Sequence, residues 1–144
     1  MKQFTLVLTA LLICTLSFSC KSTKYTPANF PESQITFGSG GGITGLVTDY
    51  TLLENGQLFK RNSRDNEFEA LPKIKSKLTK QMFKNYNFLG IGDFTTNDPG
   101  NMSYFIQFKD KDNKEHKITW NDQSEVDDKV KTYYSLLTSL TKQN

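Results

Sequence analysis

Val126, Val130, Tyr133, Leu137 and Leu140 recur at steps of four and three near the C-terminal end of this 144-residue chain. At 3.6 residues per turn that spacing draws one apolar stripe along a helix. Ser124 opens S-E-V-D, which resembles a capping box with Asp127 at its fourth position. Glu125, Asp127 and Asp128 would sit in the first turn, where carboxylates complement the helix dipole. Lys142 stands at the other end. A helix with one apolar stripe needs a surface to cover, and the ordinary surface is a sheet of the same domain.

The preceding residues read as that sheet. Residues 34–37 form a short β-prone run, and residues 43–53 (ITGLVTDYTLL) are rich in β-branched and aromatic side chains. Asn55-Gly56 follows, a two-residue hairpin signal in which both positions accept positive φ. Residues 57–60 return as its partner strand, and residues 68–71 read as a further short strand. The period then changes. Leu78, Met82, Phe83, Tyr86 and Leu89 follow helical spacing, and Gly90 stands where a left-handed C-cap belongs. Residues 103–108 and 115–120 read as a second hairpin, with Tyr104, Ile106 and Phe108 on one face of the first strand and His116, Ile118 and Trp120 on one face of the returning strand. No long crossover asks for parallel strands. The expected fold is therefore α+β, a single antiparallel sheet of about four to six strands with two helices on one face.

The N-terminal residues carry an address. Lys2 precedes an uncharged apolar run over residues 4–18. That is short of the roughly 20 apolar residues of a membrane span and fits the apolar segment of an export signal. It ends Leu16-Ser17-Phe18-Ser19-Cys20, which resembles the lipobox of bacterial lipoproteins. Membership implies cleavage after residue 19 and acylation of Cys20, with several acyl chains holding the protein firmly to a bilayer. Lys21, rather than aspartate, follows Cys20, which implies the outer membrane. No acidic export run follows, so the periplasmic face is expected. Cys14 would leave with the signal, so the mature domain has no disulfide and must be held by its core, which roughly 110 residues can supply. Residues 21–33 (KSTKYTPANFPES) are polar, hold two prolines and show no period; they read as a flexible tether. The expected divisions are thus 1–19 signal, 20–33 lipidated tether and 34–144 globular domain.

Five of the nine glycines fall in residues 38–45, GSGGGITG. Gly40, Gly42 and Gly45 match G-x-G-x-x-G, but a strand pattern follows where a dinucleotide site needs a helix. Two uses stay open. One is a connection or bulge between strands, where positive φ or close backbone approach is required. The other is a binding loop formed by Gly40, Gly41, Gly42, Ile43 and Thr44. In that case Gly40 and Gly41 should be exposed, while Gly45, at the border of a strand pattern, should be structural.

Catalytic and metal chemistry find little to stand on. His116 is the single histidine, and no cysteine remains as a nucleophile in the mature domain. Zinc would need several His or Cys ligands. Asp110, Asp112 and Asn113 fit a hairpin turn, since the glycine and closing glutamate of an EF-hand are missing. Without Lys2 the chain holds 17 basic against 15 acidic residues, with signs interspersed, so no stripe awaits nucleic acid. No cofactor, metal site or catalytic residue is expected.

The run Gly41-Gly42-Ile43-Thr44-Gly45 after a first strand, with Leu136-Leu137-Thr138-Ser139-Leu140 in the last helix, resembles the emfourin-type inhibitors of thermolysin-like metalloproteases. The wording FGSGGGITG, a tyrosine-bearing strand and the ENG turn at residues 54–56 are similar to a group of small bacterial lipoproteins. The first resemblance implies a non-enzymatic binding module with a protease as its protein partner, whereas the second carries no known activity. The alternative is a structural or accessory lipoprotein of an envelope complex.

Overall fold

The computed structural model describes residues 24–31 and 33–142, so the expected export signal, Cys20 and the first residues of the expected tether lie outside the described residues. Six strands and two helices follow one another: β1 Gln34–Gly41, β2 Leu46–Leu53, β3 Leu58–Asn62, β4 Phe68–Leu71, α1 Ser76–Phe88, β5 Met102–Lys109, β6 Glu115–Asn121 and α2 Asp128–Ser139. The strands form one sheet in the order β4-β3-β2-β1-β5-β6, and all five neighbouring pairs are antiparallel. Consecutive strands pair through hairpins, except that α1 carries the chain from the β4 edge back to β5 beside β1. The fold is α+β with a single antiparallel sheet. Among the described residues no helix is long and apolar enough to cross a membrane.

Register places the core. Ile35 faces Leu52 and Phe108, and Phe37 faces Tyr50 and Ile106. Ile106 in turn faces Ile118, and Tyr104 faces Trp120. Both helices lie over this side, adding Met82 and Tyr86 from α1 and Val130, Tyr133 and Leu137 from α2, with Leu140 just beyond. The C-terminal stripe is thus buried as its spacing predicts: Val130, Tyr133 and Leu137 are fully covered. The Tyr133 hydroxyl donates to the Met82 carbonyl at 3.0 Å, joining the two helices inside the core.

Local details depart from the sequence reading at the β2–β3 turn and at the start of α2. The β2–β3 turn has three loop residues, not two. Leu53 and Gln57 close it (N···O 2.9 Å), Gly56 alone takes positive φ (89°), and Asn55 keeps a negative one. Three-residue loops of this kind place their left-handed residue last. The β5–β6 turn repeats the geometry with Asn113 at φ 61°, while the Asp110 carboxylate accepts from Asp112 and Lys114 N–H at 2.8 and 2.9 Å. Helix α2 begins three residues later than its expected cap. Asp127 is the N-cap and accepts from Lys129 N–H, whereas the Ser124 hydroxyl donates to the Asp98 carboxylate at 2.7 Å. Gly90 does take the expected left-handed conformation, φ 65°.

Within the expected tether, Tyr25 and Phe30 are held against the domain. The Tyr25 N–H donates to Gln57 Oε1 (2.7 Å), and Gln57 Nε2 donates to the Tyr25 carbonyl (2.9 Å). Phe30 packs against Phe59 and Phe68 on the face opposite the helices, with ring centroids 4.9 and 5.3 Å away. The reason is local supply of apolar surface: β3 and β4 present Phe59 and Phe68 where no helix covers them. Beside them Arg61 forks onto the buried carboxylate of Asp49 at 3.1 and 3.2 Å.

Candidate functional site

The glycine run divides between a strand and a turn. Gly38, Ser39, Gly40 and Gly41 belong to β1, each paired on both sides: Gly40 with Val47 and Ser103, Gly41 with Leu46 and Met102. Gly40 and Gly41 therefore do not form part of an exposed loop. Crowding explains why glycine is needed. A Cβ on Gly40 would stand 2.6 Å from Val47 Cγ2, one on Gly38 would lie 2.8 Å from Asp49 Cα, and one on Gly41 would strike the Asn101 carbonyl. All three are closer than real Cβ contacts allow.

Residues 42–45 make the β1–β2 turn. Gly45 N–H donates to the Gly42 carbonyl (3.2 Å), and Gly42 N–H donates to the Asn101 carbonyl (2.7 Å), which ties the turn to the approach of β5. Gly41, Gly42 and Gly45 have φ of 120°, 69° and 61°, conformations that L side chains rarely adopt. At Gly45 the demand is conformational only, since nothing lies within 4 Å of a Cβ there. The turn lifts Ile43 and Thr44 to its tip. Ile43 is 108% exposed, an apolar side chain with no neighbour to cover it. The turn is held by backbone hydrogen bonds at its base and glycine geometry at both ends, so it is pre-set rather than loose.

Next to this turn on the helix side lies an aromatic group that sequence reasoning missed. Tyr104 stacks on Trp120 (centroids 5.9 Å, 29°), and Tyr134 stands edge-on to both. Asn121, Asp122, Ser124 and Lys131 complete a shallow depression around them. The Tyr104 hydroxyl donates to Asp122 Oδ1 at 2.8 Å, and that hydrogen bond, with some burial, raises its pKa. The Tyr134 hydroxyl donates to the Gly38 carbonyl at 3.2 Å; burial is the main reason its pKa is raised. The cross-strand set Ser39, Tyr104, Trp120 needs the β1–β5 register, which links residues some 65 positions apart and leaves no local signal.

His116 is committed to the scaffold. Its Nε2 lies 2.7 Å from the Phe94 carbonyl, an acceptor, so Nε2 carries the proton. On its other side Nδ1 lies 2.8 Å from the Tyr86 hydroxyl, so the ring is hydrogen-bonded at both nitrogens. Burial first, then Asp93 and Asp110, push the Tyr86 pKa up to about 12. Among the described residues no three His, Cys, Asp or Glu side chains gather closely enough to hold a metal. No family model and no curated protein matches this chain.

Proposed function

We propose that this chain is a membrane-anchored binding module without catalysis of its own, held by acyl groups on Cys20 and engaging a protein partner through the turn at residues 42–45. The observation that carries the reading is Ile43, fully exposed at the tip of a turn pinned by Gly42, Gly45 and the Asn101 carbonyl. An apolar side chain on a pre-set backbone loses little conformational freedom on binding, so contact area turns into affinity. The resemblance of residues 41–45 to the emfourin-type inhibitors makes a thermolysin-like metalloprotease the first partner to try. The periplasmic face of the outer membrane is the compartment that the lipobox and Lys21 imply.

Residues 42–45 lie at the opposite end of β2 from residue 53, and the segment that leads back to Cys20 docks beside Gln57. A strand of eight residues spans roughly 26 Å, so the exposed tip stands well away from the tethered end. The test uses the full chain, extracted from membranes and analysed by mass spectrometry, then used for capture from its native envelope. Acyl mass on a mature N-terminal Cys20 is expected. Wild type should capture a protein, or inhibit a thermolysin-like protease, that the folded Ile43→Asp variant does not. Equal capture and equal inhibition by both proteins would overturn the role of the turn. A mature terminus other than acylated Cys20 would overturn the anchor.

A further inference from the structure

Residues 72–90 contain five lysines and no acidic residue. Within α1, Lys77, Lys80, Lys84 and Phe88 step by three, four and four, so they form one outward stripe. The opposite face of the helix buries Thr79, Met82 and Tyr86. All four stripe residues are exposed, and Phe88 is 86% exposed. Lys77, Lys80 and Lys84 enter no ion pair among the described residues. Glu54, which borders Lys80 and Lys84 across a shallow depression, is already engaged by Ser33 and Lys111.

This stripe lies at the tethered end. Gly56 packs against Ile74 and Thr79 at the start of α1, and Tyr25 is hydrogen-bonded to neighbouring Gln57. Cys20 precedes Lys24 by four residues, a reach of about 14 Å at full extension. We infer that the Lys77–Lys80–Lys84–Phe88 stripe of α1 rests on an anionic phospholipid surface, with Phe88 entering the headgroup layer, so that the domain stands on the bilayer in one orientation. The inference rests on the Cys20 anchor for its geometry, and on charge complementarity for its occupant. Basic residues are drawn to anionic headgroups within a screening length, and an exposed aromatic beside them suits the interface. In that orientation the turn at residues 42–45 points away from the membrane, towards partners.

The test is lysine labelling of the full-length acylated chain in vesicles. One set contains phosphatidylglycerol with phosphatidylethanolamine, the other phosphatidylcholine alone. A water-soluble acetylating reagent is added, and the rate at each lysine is read by mass spectrometry. Lys77, Lys80 and Lys84 should be acetylated about fivefold more slowly in the anionic vesicles, and the difference should vanish at about 0.5 M salt. Lys131, which lines the depression beside Tyr104 and Trp120 towards the opposite end of the sheet, should label equally in both. Lys80→Glu, a surface change, should weaken the protection of Lys77 and Lys84. Equal rates in the two compositions, or equal protection in both, would overturn the inference, since the latter means a protein contact or another copy covers the helix. The same spectra report the acyl mass at Cys20. If it is absent, the unacylated chain added to the same vesicles still decides the matter: protection by anionic vesicles alone sustains the stripe, and none overturns it.

Discussion

Gly38 and Gly45 show two unlike reasons for glycine seven residues apart. Gly38 has ordinary backbone angles but no room, because β2 passes too near for a Cβ. Gly45 has open space but φ of 61°. Gly45→Ala should therefore cost about 1–2 kcal/mol, the ordinary penalty of a left-handed L residue. Gly38→Ala should cost more, about 3 kcal/mol, because backbone must move in the middle of the sheet. Urea unfolding of both variants checks the order, and a smaller loss at Gly38 would show that the β1–β2 contact yields easily. Tyr86 gives a second residue-scale prediction. Its phenol is held neutral in the folded protein up to about pH 12, whereas an unfolded tyrosine loses its proton near 10. The folded state thus binds more protons between these values. Stability from this group is complete below pH 10 and declines as pH rises towards 12. Buried Tyr133, raised further by desolvation, adds to the same decline. The urea midpoint should fall from pH 9.5 to pH 11 (conditions chosen about the ordinary tyrosine value), and Tyr86→Phe should make that fall shallower.

At the scale of elements, α2 is a lid whose inner and outer faces can be told apart by two adjacent leucines. Leu137 is fully buried among the core residues, while Leu136 is 37% exposed. Leu137→Ala should cost about 2–5 kcal/mol, and Leu136→Ala should stay within about 0.5 kcal/mol. Thermal melts of the two variants distinguish them; similar losses would mean that the outer face of α2 is also covered. The helix periodicity was enough to foresee this assignment, because burial in an amphipathic helix follows spacing. The start of α2 was not foreseeable in the same way. Ser124 and Asp127 both have cap chemistry, and Ser124 is diverted to Asp98, a partner from the loop before β5.

The whole molecule has two sides of different character. The helix side encloses one continuous core, and the opposite side is closed at its β3–β4 end by Phe30 from the N-terminal segment. That cover makes Phe30, with Tyr25, part of the folded unit. Phe30→Ala should lower stability by about 1–3 kcal/mol, the sum of lost burial and two aromatic contacts, in a single urea transition. An unchanged midpoint would show that the cover is dispensable. The same cover leaves less apolar surface on the open face for a fixed partner and turns attention to Ile43 at the distal tip.

The sequence by itself determined the elements whose signals are local: the apolar stripe of α2, the helix ending at Gly90, the hairpins on either side of residues 55 and 112, and so the α+β class with one antiparallel sheet. Periods of 2 and 3.6 are read from neighbours along the chain, so they need no knowledge of what lies across. The glycine run was legible only as a place of unusual backbone. Which glycines serve a turn and which serve a strand depends on Thr48, Asp49, Val47 and Asn101, residues brought there by pairing. The docking of Phe30, the aromatic group around Trp120 and the placing of Ile43 at the opposite end of β2 from Leu53 likewise exist only once the strands take their register. Pairing between distant strands is set by the summed burial of a whole face, a quantity that no short stretch of sequence contains.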